Sequence, residues 1–172
     1  MNSNPASAAR SGGRDILAAA LGASRQRTLA LLDAYVEKLG EALVVPYSTQ
    51  LNPPLWEAGH VAWFQDYWVT RNKQRGHGVR ADPEYARPDG RLPQADALYN
   101  SSHVPHATRW ALPLPDLSAT RGYLAASFAE TLAAIFREFR DNWDRIFEEL
   151  EKLRARIKAA SQEPTYGLHR KK

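Results

Sequence analysis

The 172-residue chain contains no cysteine. Disulfides, thiolate-bound zinc and thiol catalysis are excluded within it, and the composition suits a cytoplasmic protein. Histidine is scarce, with five residues in all and none between His106 and His169. Long apolar runs are missing as well, since no stretch approaches the roughly 18 residues that a membrane span needs. Neither sign of charge dominates: 23 Lys and Arg stand against 19 Asp and Glu, a formal +4. Part of that excess lies in the tail His169-Arg170-Lys171-Lys172, and the balance reads as solubility rather than nucleic-acid binding. There is no helix-turn-helix, RNA-recognition or zinc-finger pattern, no phosphate-binding glycine loop and no Ser-His-Asp arrangement.

What remains is an ordinary globular composition, 44% apolar and 24% charged, long enough for one domain with a core. Residues 1–13 are rich in Ser, Asn, Ala and Gly, without the apolar segment of a secretory signal. They are expected to be disordered. A first helix is predicted from Arg14 to Leu43, with Leu17, Leu21, Thr28, Leu31, Leu32, Tyr35 and Leu39 on one side. Gly22 could bend it, and Ser24 could cap a second start. A second helix is predicted from Pro53 to Asn72, capped by Asn52. From Lys73 to Asp116 six prolines and three glycines erase the pattern, which reads as a long crossover loop, ordered over Leu98–Trp110.

The second helix carries the main chemical signal. Trp56, His60, Trp63 and Tyr67 follow at steps of four, three and four residues, one helical face with an imidazole set in an aromatic wall. Residue types alone leave two uses open for His60, a satisfied core histidine or a metal ligand. A metal site needs further ligands. His103 and His106 would complete one only if their loop folded over His60. Otherwise they are exposed loop histidines, while His77 and His169 are not credible ligands. The pairs Glu57/Asp66 and Glu148/Glu149 read as helix-surface charges, and Arg109 on this evidence is a surface arginine beside Trp110.

Several separated motifs occur together. They are Val45-Pro46-Tyr47, Asn52-Pro53-Pro54-Leu55-Trp56-Glu57-Ala58-Gly59-His60-Val61-Ala62-Trp63-Phe64, Ala97-Leu98-Tyr99-Asn100-Ser101-Ser102, Thr108-Arg109-Trp110 and Leu112-Pro113-Leu114-Pro115. In this order, from about Leu29 to Ile135, they resemble the DinB-like domain of the ergothioneine sulfoxide synthase family and of the related selenoneine-forming enzymes. The resemblance implies an all-α, DinB-like bundle of three to four helices. It also implies an Fe(II)-dependent oxidoreductase forming a carbon–sulfur or carbon–selenium bond on a trimethylated histidine. By the same resemblance His60 matches the first of three iron-binding histidines, and Arg109 matches an arginine that meets the substrate's carboxylates.

Two parts of the family pattern are missing from this sequence: the His-x-x-x-His pair after the third helix, and a larger second catalytic domain. The expectation is a domain with a divergent or truncated C-terminus that is not catalytic alone, unless a separate chain supplies the rest. In place of the histidine pair, a third helix starts near Ser118, and no Gly or Pro occurs from Tyr123 to Glu163. Phe136, Phe139, Trp143, Ile146, Leu150, Leu153 and Ile157 are spaced 3, 4, 3, 4, 3, 4, a heptad seam. One extended helix from Ser118 to Ala160 is predicted, broken if anywhere at Asp141-Asn142, and followed by a basic tail over 161–172. The alternative function is therefore a helical interaction module that forms a homodimer through this seam.

Overall fold

A computed structural model describes residues 7–8, 12–82 and 84–162, without the side chains of 157 and 159–162. The expected disordered N-terminus falls mostly outside the described residues. So do most of the basic tail and His169. All regular structure among the described residues is helical, as the fold class required. No helix among them is long and apolar enough to cross a membrane. The chain divides into two compact units, Met1–Ile135 and Phe136–Lys172.

In the first unit, α1 (Arg14–Leu39) runs unbroken through Gly22 and Ser24. It stops four residues before the predicted end because Gly40 takes φ 76° and returns its N–H to the Val36 carbonyl at 2.9 Å. Arg25, Leu29, Leu32 and Val36 make the inward stripe, with Leu32 3% exposed. Leu31, Tyr35 and Leu39 were expected on that side, yet they stay 40–64% exposed because they lie one helical step around from it. Leu43 adopts φ 49°, a costly conformation for leucine, and offsets it by full burial in the core.

Helix α2 (Pro54–Gln65) has Pro53 at its N-cap and Pro54 in its first turn, where a missing N–H costs nothing. The predicted cap at Asn52 does not form. Its side chain is instead held between Arg109 and Glu57. Past Gln65 the helix widens into a π-turn over Asp66–Thr70, closed by the Arg71 N–H on the Asp66 carbonyl at 2.9 Å. The long connection is more structured than its composition predicted. It holds 3₁₀ turns at Arg75–Arg80 and His106–Trp110, and a short helix α3 (Ala95–Tyr99). Within it Leu98, Tyr99 and Val104 are buried, as the ordered segment required.

Helix α4 (Leu117–Gln162) is 46 residues long, with no break at Asp141-Asn142. Its start is fixed by Asp116 rather than Ser118, because the Asp116 carboxylate accepts the Ala119 N–H at 2.8 Å. Thr120, Tyr123, Leu124, Ser127, Thr131 and Ala134 form its buried face in the first unit. Two hydroxyls on that face are satisfied locally: Thr131 Oγ1 donates to the Ser127 carbonyl at 2.8 Å, and Ser127 Oγ to that of Leu124 at 3.2 Å.

Candidate functional site

The aromatic face of α2 is joined to α3 by three ring N–H groups. Trp56 Nε1 donates to the Leu98 carbonyl at 2.8 Å, His60 Nδ1 to the Tyr99 carbonyl at 2.8 Å, and Trp63 Nε1 to Asp96 Oδ1 at 2.7 Å. A five-residue helix cannot satisfy its last carbonyls internally, so the Trp56 and His60 donors supply what α3 lacks. The His60 ring lies between Trp56 and Trp63, with centroids 4.8 and 5.5 Å away and planes tilted by 11° and 23°. In a neutral imidazole, donation from Nδ1 to a carbonyl selects the tautomer whose lone pair is on Nε2. One nitrogen of the ring is thus committed to a structural hydrogen bond, and the other is not used by it.

Close approach of α3 depends on Gly59. A Cβ built there would meet the Tyr99 ring, 2.5 Å from Oη and nearer still to Cζ and Cε1. Tyr99 is fully buried, and burial pushes its phenol up to about 12. Below it, Asp96 receives both arms of Arg71, Nη1 to Oδ1 and Nη2 to Oδ2, each at 2.8 Å. These hydrogen bonds hold the Asp96 carboxyl below the usual carboxylate range and raise the Arg71 guanidinium. Asp66, expected on the helix surface, is only 3% exposed. It takes Thr70 Oγ1 at 2.8 Å and Tyr123 Oη at 3.3 Å, and it lies 3.9 Å from Arg71 Nη1. Burial and the Asp66 charge both push the Tyr123 phenol up.

Three arginines pin the long connection, and periodicity reveals none of them. Arg71 Nε donates to the Pro88 carbonyl at 2.7 Å. Arg87 lies 3.9 Å over the Tyr67 ring and donates to the Tyr67 carbonyl at 3.0 Å. Arg109 is buried rather than a surface residue. Its Nη1 donates to Asn52 Oδ1 at 2.7 Å and its Nη2 to the Val104 carbonyl at 3.2 Å, with Cζ 3.9 Å above the Trp56 ring. Burial lowers its pKa, partly offset by Glu57. Its Nε is a buried donor without a protein acceptor.

His77, His103 and His106 do not converge on His60. His103 Nδ1 accepts from Asn100 Nδ2 at 3.4 Å, and His106 Nε2 donates to the Leu51 carbonyl at 3.0 Å beside Tyr47 and Trp110. His77 is exposed in the Arg75–Arg80 turn. Among the described residues no group of three or more His, Asp or Glu is placed to hold a metal ion. One imidazole without further donors does not fit the three-ligand demand of a non-haem iron centre.

The motif order and this all-helical frame agree with a family comparison, in which the DinB superfamily model matches residues 20–165. The chain belongs to the DinB superfamily. Within the match lie α1 from Ala20 onward, α2 with its His60 face, α3 and all of α4. This DinB chain is also similar to the hercynine oxygenase of Mycolicibacterium smegmatis, 29% identical over 119 residues. The similarity covers 69% of this chain and 24% of that protein, so the chain spans about a quarter of its curated relative.

Proposed function

We propose that this chain serves as the DinB-like part of an oxidative enzyme of the hercynine-oxygenase type. Such an enzyme would join sulfur or selenium to a trimethylated histidine. The reading is supported by the superfamily match, by the hercynine oxygenase relative and by the His60 geometry. His60 is the chain's contribution to an Fe(II) centre, and the observation that carries it is the Nδ1–H held by the Tyr99 carbonyl with Nε2 left as lone-pair donor. Arg109 secures the loop beside it and, as the family resemblance implies, meets a substrate carboxylate with the donors that Asn52 and Val104 leave over. Since the described residues do not assemble an iron site, the chain alone is proposed to be inactive. Its further ligands and a second catalytic domain would come from elsewhere.

A titration of the purified chain with Co(II), followed by NMR, tests the ligand role. The His60 ring signals are expected to broaden first and weakly, and a His60→Ala variant is expected to remove the strongest broadening. Iron analysis and mass spectrometry after incubation with a trimethylated histidine, a thiol and oxygen test the inactivity. The expected result is iron well below one equivalent and no new product. Undisturbed His60 signals would reject the ligand role. Near-stoichiometric iron with turnover would reject the claim that the chain is inactive alone.

A further inference from the structure

The second compact unit, Phe136–Lys172, is α-helix through Gln162 and leaves an apolar face open. Phe139, Trp143, Ile146, Phe147, Leu150 and Leu153 are each 37–61% exposed. All but Phe147 follow the 4, 3, 4, 3 spacing of a coiled-coil seam, and Phe147 flanks it. Ile146, Leu150 and Leu153 also floor a groove of about 600 Å³ whose rim carries Arg145, Glu149, Lys152 and Arg156. Single exposed apolar residues are unremarkable, but a continuous stripe on one helix with charged rims marks an interaction surface.

We propose that this face docks a second copy of the chain, with the two helices antiparallel and Leu150 set against the partner's Leu153. The charge order along the helix selects this occupant. Glu148, Glu149 and Glu151 precede Lys152, Arg154, Arg156 and Lys158. A parallel pair would lay the two basic blocks side by side. Reversal with Leu150 opposite the partner's Leu153 instead lays each acidic block against the other copy's basic block. In that register the residues flanking the seam on one side bring Glu149 to the partner's Arg156, and by symmetry Arg156 to the partner's Glu149. On the other side Phe147 comes beside the partner's Arg154, where a guanidinium over an aromatic face is favourable. Lys152 Nζ reaches Glu149 Oε1 at 2.9 Å and Arg154 reaches Glu151 at 3.5 Å, and such exposed pairs exchange readily.

Sedimentation equilibrium of the full chain over a wide concentration range tests the proposal. The weight-average mass should rise from 19.3 kDa towards twice that value. Leu150→Asp should hold it at the monomer mass with its helical circular dichroism retained. Charge exchange tests the orientation. Glu149→Arg alone and Arg156→Glu alone should each weaken association by about tenfold, and the double exchange should restore it to within a few-fold. Failure of the double exchange to restore association would overturn the antiparallel register. A monomer at every concentration would overturn the proposal. If Leu150→Asp then also lowered stability, the seam would be folding back within one chain instead.

Discussion

Replacing Gly59 by alanine sets two effects of opposite sign against each other at one position. Alanine is the better helix residue by roughly 0.8–1 kcal/mol, so in an open helix the change stabilises. Gly22, in the middle of α1, is such a place, since an added Cβ there would meet nothing within 4 Å. At Gly59 the Cβ would enter the Tyr99 ring, and that ring is fully buried with no room to swing. Overpacking of this kind costs about 1–3 kcal/mol. Moving Tyr99 also strains the hydrogen bond from His60 to its carbonyl, worth roughly 1 kcal/mol. The expected balance is a net loss of about 1–3 kcal/mol for Gly59→Ala and a gain of up to about 1 kcal/mol for Gly22→Ala. For a chain of this size these correspond to a melting temperature lower by roughly 2–12 °C and one higher by a few degrees. Urea and thermal denaturation of the pair measure the difference with the helix term held common. A Gly59→Ala protein as stable as Gly22→Ala would refute the claim that the α2–α3 seam is closed on a missing side chain.

Two further changes probe the polar supports of that seam. Asp96→Asn removes the charge that Arg71 grips with both arms, while Asp96 itself is 48% exposed. The loss should therefore be about 1.5–3 kcal/mol, below the 3–5 of a fully buried pair. Because the folded state holds the Asp96 carboxyl low, its contribution is present above about pH 4 and fades as pH falls through the depressed value. Urea midpoints at neutral and acid pH should converge between Asp96→Asn and the parent, and a constant gap at both would count against the pairing. Arg109→Lys gives up the fork on Asn52 and Val104 and the stack on Trp56, at roughly 1.5–3 kcal/mol. Hydrogen exchange should then quicken at Val104, and unchanged protection would show that Arg109 does not hold the loop.

Periodicity made the Trp56–His60–Trp63 face legible, because residues four and three apart must share a side of a helix. It could not name the acceptors. Leu98, Tyr99 and Asp96 lie 33–42 residues away in a stretch with no repeating pattern. The two uses weighed for His60 as alternatives, core histidine and ligand, concern different nitrogens of one ring, a distinction that residue type does not carry. Asp66 misleads for a related reason. A carboxylate on a helix is usually solvated, but here a π-turn brings Arg71 to it and Tyr123 closes over it. On α1 two neighbouring apolar stripes compete, and the sequence pattern grouped Leu31, Tyr35 and Leu39, which stay exposed, with Leu32, which packs. The motif order from Val45 to Pro115 was legible directly and placed the chain in its superfamily.

The π-turn at Asp66–Thr70 makes the chain sensitive to how its helix is wound as well as to residue kind. A wider turn holds one residue more than the α-helical ladder around it. If the same residues wound into ordinary α-helix, the extra residue would carry everything downstream about 100° further around the helix axis. Arg71 would leave Asp96 and the Pro88 carbonyl, and the connection that carries Tyr99 would lose its tether. Deleting one residue there would instead remove the extra residue and keep the downstream phase. The wide turn thus sets the direction in which Arg71 leaves the helix, and the support of His60 depends on it at a distance.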